Sequence, residues 1–296
     1  MIGDAMTQGP SARALPRRDL GRLAAAALLT TVLIAAIVGP LILPPEGVRQ
    51  DLLIRNQPPF LFGGTLSHLL GTDPLGRDML ARLLSATSTS ILISLSVLIL
   101  AFTFGSSLGL MSGVSGGTFD DVLMRVVDIA IAFPSLLVAV AFLFVFGASP
   151  VGVVVVLAAT RWPVFARVAR GETIRLRESE FMEAYTVLGY GRLRKVREGL
   201  VPNVAPIMTT LAAVTFGQII LAEAALSFLG LGVQKPSDSW GLMISEGRGY
   251  TTTAWWVVVI PGLAIVATVI ASSSLAEWLA TLVDPLRRSG DRGHWR

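Results

Sequence analysis

The chain is 296 residues long, 53% hydrophobic and only 15% charged, with a mean hydropathy of +0.68, whereas an ordinary soluble domain carries charge on about a quarter of its residues. Five windows, 23–45, 83–119, 129–160, 199–222 and 249–276, contain no charge at all; each is long enough to cross a bilayer as a helix, which takes about 20 apolar residues, so a soluble enzyme, a disordered tail and a secreted mini-protein are excluded. The absence of cysteine removes disulfides and thiolate metal sites, and the net charge of +4 rests on arginines whose placement reports membrane topology and not a nucleic-acid partner.

Residues 1–22 read as a cytoplasmic tail carrying Arg13, Arg17, Arg18 and Arg22, ahead of a first span at 23–43. A basic flank before an apolar run also describes a signal peptide. The run is longer than the usual apolar region, however, and no small-x-small site follows it, so an uncleaved anchor is expected. Residues 44–86 form an extracytoplasmic segment. Five further spans occupy 87–285, with an inner loop at 170–202, and 286–296 form a cytoplasmic tail. The second span lies in 91–111, beyond the polar step Thr87-Ser88-Thr89-Ser90. Along it Gly105, Gly109 and Gly113 repeat the G-x-x-x-G spacing, which lets helix backbones approach closely in lipid and points to helix packing. The 129–160 window is too long for one crossing. Gly147-Ala148-Ser149-Pro150 inside it is a turn signal, which divides it into spans at 126–146 and 151–168. The fifth span covers 204–229 and the sixth 255–282. Pro134, Pro163, Pro206 and Pro261 fall within spans three to six, where proline can kink a helix.

Six crossings return both ends to one side. With the N-terminus inside, the inner segments hold 17 basic residues and the outer ones six, Arg161 falling within span four; this asymmetry places both termini in the cytoplasm. The runs lack the alternation of barrel strands, so the fold class is an all-α membrane protein of six transmembrane helices.

Catalysis by the chain is not expected. A P-loop needs a glycine-rich turn followed by Lys and Ser or Thr, and the two lysines precede Val196 and Pro236. His68 and His294 are too few and too far apart for a histidine metal site. The informative polar segment is the inner loop, in which Phe181, Ala184, Tyr185 and Leu188 recur at helical spacing as one apolar face. Gly189 and Gly191 interrupt that helix, and 192–200 resumes it before Pro202. An apolar stripe with nothing in its own loop to cover it either lies on lipid headgroups or docks into a soluble partner.

Glu183-Ala184-Tyr185, three residues, Gly189, and twelve residues to Pro202 resemble the EAA signature of ABC importer permeases, EAA-x3-G-x9-I-x-LP, with its spacing intact. Tyr185 replaces the second alanine, Gly199 stands at the usual apolar position and Val201 replaces leucine. Four further blocks narrow the resemblance to the C-type subunit of the dipeptide, oligopeptide and nickel group: HLLGTDPLGRDMLARLL at 68–84, RVVDIAIAFPSLL at 125–137, LAEAALSFLGLGVQKPSDSWGLMISEGR at 221–248, and DP at 284–285. The first 20 residues have no counterpart in it.

The resemblance implies a type I importer permease fold in the bacterial inner (plasma) membrane, with the EAA loop acting as a coupling helix seated in a cleft of a cytoplasmic ATPase. It implies a homologous B-type permease subunit, two ABC ATPases and an extracytoplasmic substrate-binding protein as partners. It implies that the chain itself binds no cofactor, ATP and Mg being expected in the ATPases. Short peptides are the expected cargo, with nickel chelates or another small solute as the alternative, and an ion-coupled secondary transporter as the competing class. Ionisable groups within spans usually face a cavity or an opposite charge. Asp128 and Glu277 lie near inner span ends, as headgroup-level carboxylates do. Glu223, with Gln218 just over one turn earlier, lines either the path or an interface. Arg161 has no counterpart in the resemblance, and pairing with Glu223 is its simplest accommodation.

Overall fold

The computed structural model describes residues 17–42 and 50–283. Residues 1–16 of the tail expected at 1–22, the tail expected at 286–296, the basic residues Arg13 and Arg49, and Asp284-Pro285 lie outside them, while residues 17–22 of the expected tail already belong to the first helix. Among the described residues regular structure is entirely helical, with one isolated bridge between Thr72 and Asp78.

Helix α1 (Arg17–Ile42) packs against α2 (Met79–Ser115) and α10 (Trp256–Val283). Helix α2 begins well before the expected second span. Asp78 caps it, accepting from the Ala81 amide at 2.9 Å. The polar step that set the expected boundary is absorbed, because Thr87 Oγ1 donates to the Leu83 carbonyl (2.7 Å) and Ser88 Oγ to the Ala36 carbonyl of α1 (2.6 Å).

The third expected span is two helices, α3 (Gly117–Ala132) and α4 (Ser135–Phe146), bent by 82°. Pro134 supplies the cause, since it lacks an amide donor and forces the preceding residue out of helical geometry; Phe133 is extended, with φ −90° and ψ 136°. Pro163, Pro206 and Pro261 stand inside helices that continue through them. The 147–150 turn forms as the sequence indicates. Gly147 ends α4 at φ 91°, and Ser149 caps α5 (Pro150–Arg177) by accepting from the Gly152 amide at 3.0 Å.

The segment expected to form the inner loop is itself helical. After α5 come α6 (Glu180–Val187) and α7 (Arg192–Arg194), and then a π-helical stretch Lys195–Leu200 that runs directly into α8 (Val201–Phe228). Helix α9 (Trp240–Gly247) folds across the opposite end of the bundle, wedged among α2, α8 and α10. Four helices are long and apolar enough to cross a membrane: Met79–Ser115, Pro150–Arg177, Arg192–Phe228 and Trp256–Thr281. The bent pair makes a fifth, and the apolar part of α1, Leu23–Gly39, is shorter. The described residues therefore carry four or five such helices against the six expected.

Helices α2 and α5 form the closest contact, and the glycine stripe lies on it. A Cβ at Gly105 would strike the Trp162 carbonyl and approach Phe165 Cβ to 2.8 Å. At Gly109 it would meet the Ala166 backbone, and at Gly113 Thr173 Cβ at 2.7 Å. Buried side chains fill the remaining space in three groups: Met79, Trp240, Met243 and Trp256 at the α9 end, Val97, Leu143, Leu157 and Ile219 in the middle, and Phe165, Val204 and Met208 toward the α6 end.

Candidate functional site

At the α6 end, Ser179 precedes a two-turn helix that closes at Gly189, where φ is +72°. No atom lies within 4 Å of a Cβ built there, so conformation and not space demands glycine. The expected apolar face is corrected in one respect. The residue of α6 that packs inward is Met182, 5% exposed, while Phe181, Ala184 and Leu188 stay open and Tyr185 is half-buried. Met182 Sδ would come within 2.8 Å of a Cβ at Gly199, so the glycine that departs from the EAA pattern makes room for the methionine. Tyr185 meets Phe181 and Tyr190 edge-on at 5.0 Å each, and the Arg194 guanidinium lies 4.1 Å over the Tyr190 ring. Glu183 and Pro202 are exposed.

This loop is tied to the end of α2. Helix C-termini leave carbonyls unbonded and carry partial negative charge. Arg177 Nη1 donates to the Gly113 carbonyl (3.1 Å), and Arg192 Nη2 to those of Val114 (3.2 Å) and, more weakly, to Ser115 Oγ (3.4 Å). The arginines flank α6 in sequence, so both ends of the turn are held to α2. Beside them Arg170 binds Asp120 through two nitrogens (2.5 and 2.6 Å), and Ser112 also bonds Asp120. Asp128 is exposed and pairs with Arg167; Glu277 is exposed.

Midway along the bundle, Arg161 of α5 and Gln218 of α8 face each other. Arg161 Nη1 donates to Gln218 Oε1 at 3.5 Å, while Nε is buried with no partner among the described residues. The pairing of Arg161 with Glu223 expected from sequence does not form. Glu223 is fully buried on another side of α8, where one carboxyl oxygen accepts from Ser227 Oγ at 2.8 Å and the other is unpartnered. A helix turns about 100° per residue, so five residues of separation carry the two α8 side chains to different faces.

At the α9 end lies a charge network that sequence reading missed. Arg82 is fully buried; it donates to Asp73 Oδ2 (2.9 Å), to Asp238 (2.6 and 3.3 Å) and to Glu246 (2.8 Å). Arg77 pairs with Asp73 (2.6 Å) and Glu246 (3.1 Å), and Lys235 with Glu246 (2.6 Å). Burial pushes the Glu246 carboxyl up, but Lys235, Arg82 and Arg77 outweigh it and hold the group below its ordinary range. Trp240 Nε1 donates to Thr87 Oγ1 (3.2 Å) and Trp256 Nε1 to the Thr72 carbonyl (3.0 Å), sealing the network from the core. The 68–84 and 221–248 blocks are thus one structural unit. The available signal was compositional, since a charge-poor chain places four charges in 73–82 and three in 235–246. Among the described residues no cluster of histidine and carboxylate side chains could hold a metal ion.

The family described as "Binding-protein-dependent transport system inner membrane component" matches residues 105–289. The chain is 35% identical over 267 residues to the di/tripeptide transport system permease protein DppC of Pseudomonas aeruginosa, covering 90% of this chain and 88% of that protein. It is 33% identical to the probable D,D-dipeptide transport system permease protein DdpC of Escherichia coli, covering 88% and 86%. Among solved structures, a chain of the MetNI methionine ABC transporter shares the fold, with a TM-score of 0.55 at 18% identity over 70% of this chain and 98% of that one. The α6 turn, the helical bundle and these likenesses lead to one assignment: the chain belongs to the binding-protein-dependent transport system inner membrane components, as the membrane permease subunit of an ABC importer.

Proposed function

We propose that this subunit forms half of a translocation pathway for short peptides, the other half being a homologous B-type permease. Two cytoplasmic ATPases that bind ATP and Mg would grip the coupling helices, and an extracytoplasmic receptor would deliver cargo to the α9 end. In this reading α1 and the bent α3–α4 pair complete six crossings with both termini in the cytoplasm of a bacterial cell. The observation that carries it is the α6 turn, a short helix offering Phe181, Ala184 and Leu188 outward while arginines on either side bind it to α2. ATP-driven closure of the ATPases would move that turn as a rigid body and reorient the cavity. Peptide cargo rests on the names of the relatives, two of which are di- or tripeptide permeases.

Purification of the tagged chain in mild detergent, followed by reconstitution, tests the reading. A second permease and two ATPases should accompany it, and receptor-dependent dialanine uptake should require ATP. Uptake driven by an ion gradient without ATP, or a chain that purifies with no ATPase, would overturn it.

A further inference from the structure

Arg161 lies 11 residues from the start of α5 and Gln218 10 residues from the end of α8. At 1.5 Å per residue both sit about 15 Å from the α9 end of their helices, near half of a hydrocarbon core of about 30 Å. A guanidinium at that depth is costly and needs a carboxylate, a cavity or water. Among the described residues no carboxylate pairs with it. Its one hydrogen bond runs to a neutral amide at the 3.5 Å limit, its Nε is orphaned, and Glu223 is turned away into Ser227. Gln218 is itself exposed, and above and below it on α8 Thr209, Val214 and Leu221 are exposed too, so the pair opens onto an uncovered face of the bundle.

We propose that Arg161 and Gln218 form a carboxylate subsite in the translocation pathway, which holds the terminal carboxylate of a passing peptide. The proposal rests on the peptide-importer reading above and deepens it. A guanidinium offers a planar fork of donors matched to a carboxylate, and with Nε buried the two terminal nitrogens of Arg161 provide it once Nη1 leaves its long contact. The Gln218 amide, released from its long contact, supplies a further donor through its nitrogen. The present contact is weak by geometry, so cargo need displace little to enter. A charge met once at mid-depth would give cargo a transient foothold without a trap, because a single exposed charge-assisted contact is modest in energy.

The test uses the complete importer in proteoliposomes with its receptor, with dialanine and C-terminally amidated dialanine as probes. Arg161→Gln should lower dialanine uptake by about tenfold or more, the worth of a lost charge-assisted hydrogen bond, while leaving amidated dialanine uptake within about twofold. Arg161→Lys should retain most uptake. Because the chain has no cysteine, Arg161→Cys gives one addressable thiol on it. An ammonium-bearing methanethiosulfonate should restore dialanine uptake there, and a sulfonate-bearing one should not. Unchanged dialanine uptake in Arg161→Gln overturns the proposal, as does an equal fall for both probes. Loss of the second permease from purified Arg161→Gln would also overturn it, by showing that the carboxylate comes from the partner subunit. If the unaltered importer takes up no dialanine, the peptide reading fails first and the proposal with it.

Discussion

Replacing Arg82 with methionine tests whether the network at the α9 end holds the 68–84 and 221–248 blocks together. The substitution keeps much of the volume and removes the charge. Arg77 would still serve Asp73 and Glu246, and Lys235 would still serve Glu246, but Asp238 would lose the cation that contacts it through two nitrogens. Breaking a buried ion pair from one side costs about 3–5 kcal/mol, because the remaining charge is left uncompensated. Arg82 is fully buried and the Asp238 side chain is 12% exposed, so little solvent is at hand to screen it. At about 2–4 °C per kcal/mol for a chain of this size, the thermal midpoint of the purified complex should fall by about 10 °C. The double variant Arg82→Met/Asp238→Asn should recover part of that loss, with a coupling of about 0.5–3 kcal/mol. A midpoint within 2 °C of the unaltered complex, or a double variant no better than Arg82→Met, would refute the assignment of the cost to an abandoned Asp238.

The same network fixes a pH dependence. Glu246 has its pKa depressed in the folded chain, so its contribution to stability is complete above the ordinary glutamate value of about 4.3 and is lost as pH falls through the lower folded value. The melting midpoint should therefore drop as pH falls below the ordinary glutamate value, and less steeply in Glu246→Gln; equal slopes would contradict this. On the α2–α5 contact, Gly109→Ala should cost about 1–3 kcal/mol by overpacking against the Ala166 backbone. Gly171→Ala, where a Cβ meets nothing within 4 Å, should be neutral or gain up to about 1 kcal/mol; thermal shifts of the same sign and size would refute the distinction. Gly189→Val forces a β-branched residue to φ +72°, at a cost of about 1–3 kcal/mol confined to the turn. It should abolish uptake and receptor-stimulated ATP hydrolysis, whereas Gly191→Ala, at φ −64°, should keep both; full activity in Gly189→Val would deny α6 its coupling role.

What the sequence revealed depended on the range of the interaction. Hydropathy and local chemistry are short-range, so the helical class and the turn at 147–150 were legible, whereas Pro134 was one of four prolines read alike as possible kinks and nothing local singled it out for the break. The short helix α6 and its turn at Gly189 were legible through spacing. The partners of charges were not, because Arg82 and Asp238 are 156 residues apart and nothing local links them. Local polarity also misled. Thr87 and Ser88 looked like a boundary, yet their hydroxyls bond carbonyls of the preceding turn and of α1, which lets α2 start at Met79. On α6, periodicity found an apolar stripe but not which side faces inward, since that depends on the gap at Gly199 that receives Met182.

The charge clusters at the two ends are joined by the same pair of long helices. Met79–Ser115 and Arg192–Phe228 each contain 37 residues, about 55 Å of helix, which exceeds a hydrocarbon core of about 30 Å by roughly 25 Å. The first carries Arg82 near one end and gives its last carbonyls to Arg177 and Arg192 at the other. The second begins in the π-helical stretch that receives Met182 and ends below Asp238 and Glu246, which bind Arg82. A push on α6 therefore reaches both helices at one end, while the ion pairs and Trp240 resist their separation at the other. Between the ends, Gly105, Gly109 and Gly113 seat α2 directly on the α5 backbone, leaving little room for sliding. Separation and sliding within this unit are opposed by contacts at three levels. What remains is rotation of the unit as a whole, with the Phe133-Pro134 break as the place where α3 and α4 can change their angle to one another.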